Sequence, residues 1–157
     1  MWDLRTLEVR GSLKSHKDEV RTISGVNDYI FTGGKGSSNG GSLLIWDMRK
    51  LNMSQPLEEK ERNQDIMAMT HSDGVLYYGT RNRWVRRMLT KNFDIQAPFE
   101  PPHLDSVTSL VPCRGQVVSG SKDKHLRLWD PSSGPNHARH TLHLFNDYVN
   151  CLHSNFE

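Results

Sequence analysis

The sequence has no long hydrophobic run, no excess of charge of one sign and few cysteines. Its apolar runs fall well short of the roughly 18 residues that a membrane-spanning helix needs, so we expect no transmembrane segment and no membrane partner. The 20 Lys and Arg residues nearly balance the 18 Asp and Glu residues, so we expect no nucleic-acid partner. The opening residues 1–8 contain no apolar core, so we expect no signal peptide.

The two cysteines, Cys113 and Cys151, lack the spacing of a disulfide framework or of a metal site. We expect both thiols to be buried and reduced, as in a protein of the cytoplasm. His137, His140 and His143 are spaced by three residues, which on a strand sends neighbouring side chains to opposite faces. These histidines cannot meet at one ion without a bulge, so we expect no metal site.

Two further patterns suggest reactive chemistry. The glycine-rich run 34–41 contains Lys35, but a phosphate-binding loop needs a helix directly after it, and here a strand is predicted. Ser119, His103 and Asp123 offer the groups of a hydrolase, yet the serine lies on a predicted strand without a nucleophile elbow. We therefore expect no catalytic residue and no cofactor, and we interpret the glycine-rich run as a flexible hairpin insertion.

The clearest organisation lies between His103 and Asp130. Three short β-prone runs occur there, at 106–111, 116–121 and 125–129. Turn formers at Arg114-Gly115 and at Lys122–Lys124 separate them. Because each run is short and rich in β-branched residues, the stretch predicts three strands, the last ending on a Trp-Asp pair.

The opening of this stretch recurs along the chain. His103-x-Asp105-x-Val107 is matched fully by His16-x-Asp18-x-Val20. The aspartate and the apolar position also recur in Asn63-x-Asp65-x-Met67 and in Phe145-x-Asp147-x-Val149. The four aspartates lie 47, 40 and 42 residues apart, which is close to the roughly 40–45 residues of a four-stranded repeat unit.

The pattern from His103 to Trp129-Asp130 resembles one repeat of the WD-repeat β-propeller family. That resemblance implies a hydrogen-bonded tetrad, in which Trp129 donates to Ser119, Ser119 bonds His103, and Asp123 accepts from the histidine ring. His16, Thr32 and Trp46 match the same positions in the first repeat, and Asn39 is the expected stand-in for the aspartate. The second repeat reads Asn63, Tyr78, Asn82 and Met88 at these positions, so we expect no such network there.

The resemblance implies an all-β fold, a partial WD-repeat β-propeller with about three complete four-stranded antiparallel blades and part blades at both ends. We predict a preceding blade's last two strands at 1–15, blades at 16–62, 63–102 and 103–144, and the start of a further blade at 145–157. We place an outer strand at 51–57, interpret the charged run 58–62 as solvated edge or loop, and place a strand at 148–153.

A second resemblance concerns the run Phe99–Asp105 together with Asn146–Val149. Both segments are similar to repeat openings in the C-terminal propeller of kinesin-4 type motor proteins. The resemblance implies a tail domain that binds microtubules or cargo, and therefore a cytoskeletal location.

We expect function to reside in surfaces, because propellers expose loops on two faces. The expected role is a non-catalytic scaffold that binds other proteins; the alternative is a ubiquitin-ligase propeller that reads a short acidic or phosphorylated motif. The candidate partner-binding residues are Asp18, Asp65, Asp105, Asp147, Arg81, Arg83 and Arg86, with local turn capping as the other interpretation of the aspartates. An unclosed ring leaves open edges, so we expect the chain to need further blades from a longer chain or another copy.

Overall fold

The computed structural model describes residues 4–8, 12–36, 41–50, 58–62, 64–132, 137–143 and 145–154. All regular secondary structure in these ranges is β-strand, which confirms the all-β prediction. None of these ranges contains a helix that is long and apolar enough to cross a membrane. The chain divides into two compact units, Met1–Gln64 and Asp65–Glu157, and each is described by itself.

The first unit contains one antiparallel sheet of four strands in chain order. Its strands are β1 (Val20–Val26), β2 (Tyr29–Gly34), β3 (Gly41–Asp47) and β4 (Glu58–Arg62). Residues 42–47 are buried on both faces of β3, as expected for a central strand, and Phe31 on β2 is fully buried beside them.

The outer strand of this sheet differs from the prediction. Glu58–Arg62 pairs with β3, with Lys60 opposite Leu43, so the charged run forms the edge strand itself. The segment 51–57, where we placed the strand, lies outside the described residues. The outer strand was placed too early because a charged run has a low strand propensity. At the edge of a sheet charged side chains are tolerated, since the strand pairs on one side while its charges oppose pairing on the other.

The second unit begins with a three-stranded sheet. Its strands are β5 (Ile66–Ser72), β6 (Val75–Thr80) and β7 (Val85–Leu89). The predicted fourth strand is an irregular segment beside β7. Ile95 bridges Met88, Gln96 N donates to Arg87 O at 2.9 Å, and Phe99 N donates to Val85 O at 3.0 Å. Pro98, Pro101 and Pro102 lack the N–H that a longer ladder would use.

The other sheet of this unit has four antiparallel strands in chain order. They are β8 (Val107–Cys113), β9 (Gln116–Ser121), β10 (Leu126–Trp129) and β11 (Ala138–Leu142). The Arg114-Gly115 turn between β8 and β9 has φ values of 51° and 74°, and Asp73-Gly74 between β5 and β6 has 50° and 74°. Two successive left-handed residues are typical of the type I′ turn, whose twist suits a tight hairpin.

An aromatic core lies between the two sheets of this unit. Its buried members are Tyr77, Val85, Phe99, Val107, Leu110, Val117 and Trp129. Phe99 lies at its centre, with its ring centroid 5.1 Å from that of Trp129 and 6.2 Å from that of Tyr77. The apolar residue at the end of the loosely paired segment therefore joins the two sheets.

Successive repeats of the second unit meet through a glycine and a valine. A β-carbon on Gly79 would collide with the side chain of Val107, and one on Gly120 would come within 2.5 Å of Val149 Cγ1. Val107 is fully buried and Val149 nearly so. Each glycine on a second strand therefore provides the space into which the first valine of the next repeat fits.

The structure differs from the sequence prediction at two of these apolar positions. The segment 148–153 is not a strand; Val149 is held instead by its N–H bond to Ser121 O of 3.2 Å. In the second repeat, Ile66 pairs with Thr80 as Val107 pairs with Ser121, so Ile66 and not Met67 fills the apolar position. The aspartate-to-apolar spacing is therefore one residue shorter there.

Candidate functional site

The third repeat contains a continuous buried hydrogen-bond chain. Trp129 Nε1 donates to Ser119 Oγ at 2.8 Å, Ser119 Oγ lies 2.7 Å from His103 Nε2, and His103 Nδ1 lies 2.8 Å from Asp123 Oδ2. Ser119 and Trp129 are fully buried and His103 is 1% exposed. Asp123 also accepts the N–H of Leu104 at 2.8 Å, so the chain ties the loop before β8 to the loop after β9.

Burial controls the charge of this chain. It lowers the pKa of His103 to about 4, because loss of water around the ring outweighs the opposing effect of the Asp123 carboxylate. The backbone and histidine hydrogen bonds that Asp123 accepts lower the pKa of its carboxyl despite desolvation. The neutral ring therefore donates from Nδ1 to Asp123 and accepts from the Ser119 hydroxyl at Nε2.

The same geometry argues against the hydrolase interpretation. Ser119 Oγ already receives the indole N–H of Trp129 and has no surface exposed to a substrate. A nucleophilic serine must reach the substrate carbonyl beside an oxyanion hole. Ser119, His103 and Asp123 therefore connect elements of the repeat instead of forming a reaction centre.

The first repeat has a shorter version of this chain. Trp46 Nε1 donates to Thr32 Oγ1 at 2.8 Å, and Thr32 Oγ1 lies 2.7 Å from His16 Nε2. Thr32 and Trp46 are buried and His16 is half-buried. Asn39, the expected stand-in for the aspartate, lies outside the described residues.

The second repeat has different residues at these positions. Met88 pairs with Leu76 as Trp129 pairs with Val117, so a thioether without a polar hydrogen stands where the indole would donate. Tyr78 occupies the serine position and is fully buried, and Asn63 lies outside the described residues.

Two aspartates of Trp-Asp pairs, Asp47 and Asp130, bind arginine near the strand ends. Asp47 accepts Arg49 Nε at 2.9 Å and Nη2 at 2.8 Å, and these contacts lower its pKa to about 2. Asp130 accepts the Ser132 N–H at 3.0 Å and Arg139 Nη1 on β11 at 3.1 Å. Both carboxylates therefore hold the turn that follows the third strand.

Four loops of the second unit form a continuous surface, which we call the loop row. They are residues 81–84, 103–106, 121–125 and 145–148. His103 N donates to Arg83 O at 2.9 Å, and Lys122 N donates to Ser106 O at 3.0 Å. Lys124 Nζ donates to Asn146 O at 3.0 Å. These bonds place the four loops side by side at one end of the two sheets.

The four predicted aspartates have different contacts. Asp105 Oδ1 accepts the N–H of Ser106 at 2.6 Å, and Asp147 Oδ1 accepts that of Tyr148 at 2.7 Å. Asp65 forms an ion pair with Arg81 at 3.3 Å. Asp18, in the first unit, lies 3.4 Å from Lys35 Nζ. Local turn capping is thus present at Asp105 and Asp147, although both remain exposed.

The three candidate arginines differ in exposure and in ion pairing. Arg83 is exposed, and Arg81 is exposed but paired with Asp65. Arg86 is half-buried on β7 with its Nε shielded from solvent, and its role in binding a partner stays a prediction. Arg86 follows Val85 on β7, and the side chain of Val85 belongs to the buried core.

Sequence reasoning missed most of the loop row. Leu104 is 71% exposed, and Phe145 and Tyr148 are 44% and 53% exposed. Lys122 and Lys124 are exposed between them. The available signal was a bulky apolar residue directly beside a turn aspartate, but which loops become neighbours depends on the register of the strands.

The cysteines and histidines form no further site among the described residues. Both thiols are free, but Cys113 is half-buried and Cys151 exposed, so the expectation of two buried thiols is wrong. Cys113 lines a cavity of about 360 Å³ between the hairpin turns 71–73 and 112–115, at the opposite strand end from the loop row. The described residues contain no group of three or more His, Cys, Asp or Glu that could hold a metal.

Comparison with known sequences follows this geometry. A family model described as WD domain, G-beta repeat matches residues 7–47 and 98–130. The chain is 29% identical over 136 residues to Mitochondrial division protein 1 of Neurospora crassa, covering 85% of this chain and 19% of that protein. It is 27% identical over 146 residues to WD repeat-containing protein 82 of Drosophila melanogaster, covering 90% of this chain and 44% of that protein.

Solved structures agree with the fold. The crystal structure of RRP9 WD40 repeats superposes with a TM-score of 0.75 at 19% identity, covering 88% of this chain and 43% of that one. The computationally designed Ika4 protein superposes with a TM-score of 0.74 at 16% identity, covering 95% of this chain and 88% of that one.

The chain spans about a fifth of the first curated relatives, since it covers 19% and 17% of their lengths. The relatives named here are not kinesins, so the kinesin resemblance stays a hypothesis. The antiparallel sheets and the superposed structures show the fold of a partial WD-repeat β-propeller, and residues 7–47 and 98–130 are similar to the WD40 repeat model.

Proposed function

We propose that this chain is a non-catalytic scaffold that binds other proteins through the loop row. The observation that supports this most is the contrast between the reactive groups and the apolar ones. His103, Ser119 and Asp123 are buried and mutually bonded, whereas Leu104 and Tyr148 beside them are more than half exposed. Exposed apolar side chains on fixed loops provide the contact area that protein partners bind.

The curated relatives have names that point to different tasks, namely mitochondrial division and a CCR4-associated factor. What they share with this chain is the repeat fold, and a fold supports many functions through its surfaces. The proposal is therefore limited to the interaction role, in an intracellular location that the two free thiols favour.

A peptide-display selection against the chain tests this function. We expect selected peptides to lose binding to a Leu104→Asp, Tyr148→Asp double variant, because both changes put charge into the apolar part of the loop row. A Lys91→Asp, Asn92→Asp double variant is the control, since these exposed residues lie in the turn at the opposite strand end. Equal binding to both variants would contradict the proposal.

One finer function has structural support. Arg83 projects from the loop row, and the described residues offer it no ion pair, which favours a propeller that reads an acidic or phosphorylated motif, as a ubiquitin-ligase substrate receptor does. The kinesin tail has less support. Phe99 is in the core, and the carbonyls of Pro101 and Pro102 accept Arg127 Nη1, so the residues of that resemblance build the fold.

A further inference from the structure

We infer that the partner bound by the loop row is a short acidic peptide segment with one bulky apolar side chain. This inference rests on the proposed function and deepens it by naming the partner's chemistry. It is drawn from three features of the loop row: repeated pairs of cations, an apolar residue between them, and loops that are fixed before any partner arrives.

The cations recur at equivalent positions in two repeats. Arg81 and Arg83 flank Asn82 in the turn after β6, and Lys122 and Lys124 flank Asp123 in the turn after β9. The two turns close alike, with Arg83 N donating to Thr80 O and Lys124 N to Ser121 O, both at 3.2 Å. Two successive repeats therefore present a pair of long cationic side chains from one end of the sheets.

The backbone at one cation of each pair is unusual. Arg83 has φ of 76° and Lys124 has φ of 69°, in the left-handed region that favours glycine. Residues other than Gly, Asn and Asp are disfavoured in this region. The strain is tolerated at the same place in both repeats, and in both the side chain is cationic.

The exposed charges of the loop row favour an anionic partner. Arg81 is matched by Asp65, which leaves Arg83, Lys122 and Lys124 against the exposed carboxylates of Asp105 and Asp147. Each of those two carboxylates already accepts a backbone N–H from the next residue. The described residues give Arg83 and Lys122 no carboxylate partner, so these two are available for ion pairs with a bound acidic segment.

Leu104 supplies the apolar contact. It lies in the loop 103–106, which hydrogen bonds join to the turn of Arg83 on one side and to the turn of Lys122 on the other. Its side chain is 71% exposed, while its own N–H is held by the buried carboxylate of Asp123. An apolar residue between two cationic turns fits an apolar side chain flanked by acidic residues.

The loops are also fixed in advance. The buried tetrad connects the loop 103–106 to the loop 121–125, and Lys124 Nζ connects the latter to Asn146 O at 3.0 Å. Binding then costs little conformational entropy in these loops. This matters because exposed ion pairs alone contribute little to affinity.

Fluorescence anisotropy with labelled peptides tests the inference. The probe is a synthetic peptide with one Leu or Phe flanked by Glu on both sides; one matched peptide replaces Glu by Lys and another replaces the apolar residue by Ser. We expect the acidic apolar peptide to bind at least about threefold tighter than either matched peptide, and more weakly as salt is raised.

The variants locate the site. We expect Lys122→Glu to weaken binding at least about threefold and Lys91→Glu, an equal charge change at the opposite strand end, to leave it unchanged. Leu104→Ser should weaken binding, and Ile95→Ser is its matched apolar control, being 40% exposed away from the loop row.

Two negative results have distinct meanings. Preference for the Lys-containing peptide, or indifference to Lys122→Glu while Leu104→Ser still weakens binding, would overturn the acidic partner and leave the scaffold function standing. Binding that none of the loop-row variants changes would overturn both.

Discussion

Ser119 illustrates how one small polar residue holds a repeat together. Its hydroxyl bridges the indole of Trp129 and the ring of His103, at 2.8 and 2.7 Å. Because all three are buried, removal of the hydroxyl leaves a donor and an acceptor without water or partner. The tetrad therefore affects the stability of the fold mainly because a buried donor or acceptor that loses its partner is costly.

We predict that Ser119→Ala lowers the free energy of unfolding by about 1–3 kcal/mol. Ser72→Ala is the matched control, since its hydroxyl only bonds the exposed Asp73 beside it, and its effect should be within about 0.5 kcal/mol. Urea unfolding of both variants measures the difference. Equal stability of the two would contradict a structural role for the tetrad.

His103 makes the fold sensitive to acid. Its pKa falls from 6.5 in the unfolded chain to about 4 in the folded one, so between these values only the unfolded chain binds the proton. We predict that the resulting stabilisation is full above pH 6.5 and is lost as the pH falls to about 4, by at most about 3 kcal/mol. Unfolding measured across this range should show the decline.

A His103→Asn variant, which cannot titrate, should give a flatter curve over the same range. Should that variant not fold, NMR titration of the His103 ring in the native chain decides the matter. A ring that titrates near pH 6.5 would contradict the prediction.

At the scale of the strand, the contact between a glycine and the next repeat's valine sets how closely repeats pack. We predict that Gly79→Ala and Gly120→Ala each destabilise the chain by about 1–3 kcal/mol, because the new methyl group overlaps Val107 or Val149. Gly25→Ala on β1 is the matched control, since no atom lies within 4 Å of the place that its new methyl group would take, and it should be neutral or stabilising. Thermal unfolding of the three variants tests the contact; equal effects would disprove it.

Several strands could be predicted from sequence alone. Gln116–Ser121 has the predicted bounds, because the turns at Arg114-Gly115 and Lys122–Lys124 fix both of its ends. The edge strand Glu58–Arg62 and the segment 148–153 were misassigned. At an edge, a strand forms according to what lies beside it, and local propensity carries little of that information.

The buried half of the candidate site was predictable and the exposed half was not. His103 and Ser119 lie 16 residues apart, as His16 and Thr32 do, because their contact is made within one repeat. Leu104 became a neighbour of the Arg83 turn only through the bond from His103 N to Arg83 O, which joins two repeats and follows from register and packing. Sequence spacing does not contain that information.

For the molecule as a whole, one face of the first unit resembles an interface without its partner. Val20 is 52% exposed and Ile23 is 65% exposed, while their register equivalents Val107 and Leu110 are 0% and 7% exposed. Val107 is buried by the glycine strand of the repeat before it. Val20 and Ile23 thus fit the same kind of strand from a further blade.

We predict that the isolated chain self-associates through this face. Sedimentation velocity over a concentration series should give species heavier than the monomer, and a Val20→Asp, Ile23→Asp double variant should shift the distribution towards the monomer. A native chain that stays monomeric and melts cooperatively would count against the prediction.

The central claim is that this protein acts through a surface that its repeats hold in place. Hydrogen–deuterium exchange, with and without a peptide selected for binding, tests that claim most directly. We predict that the peptide slows exchange in residues 81–84, 103–106, 121–125 and 145–148. Protection confined to the hairpin turns 71–73 and 112–115 at the opposite strand end, or to the outer strand β11, would contradict it.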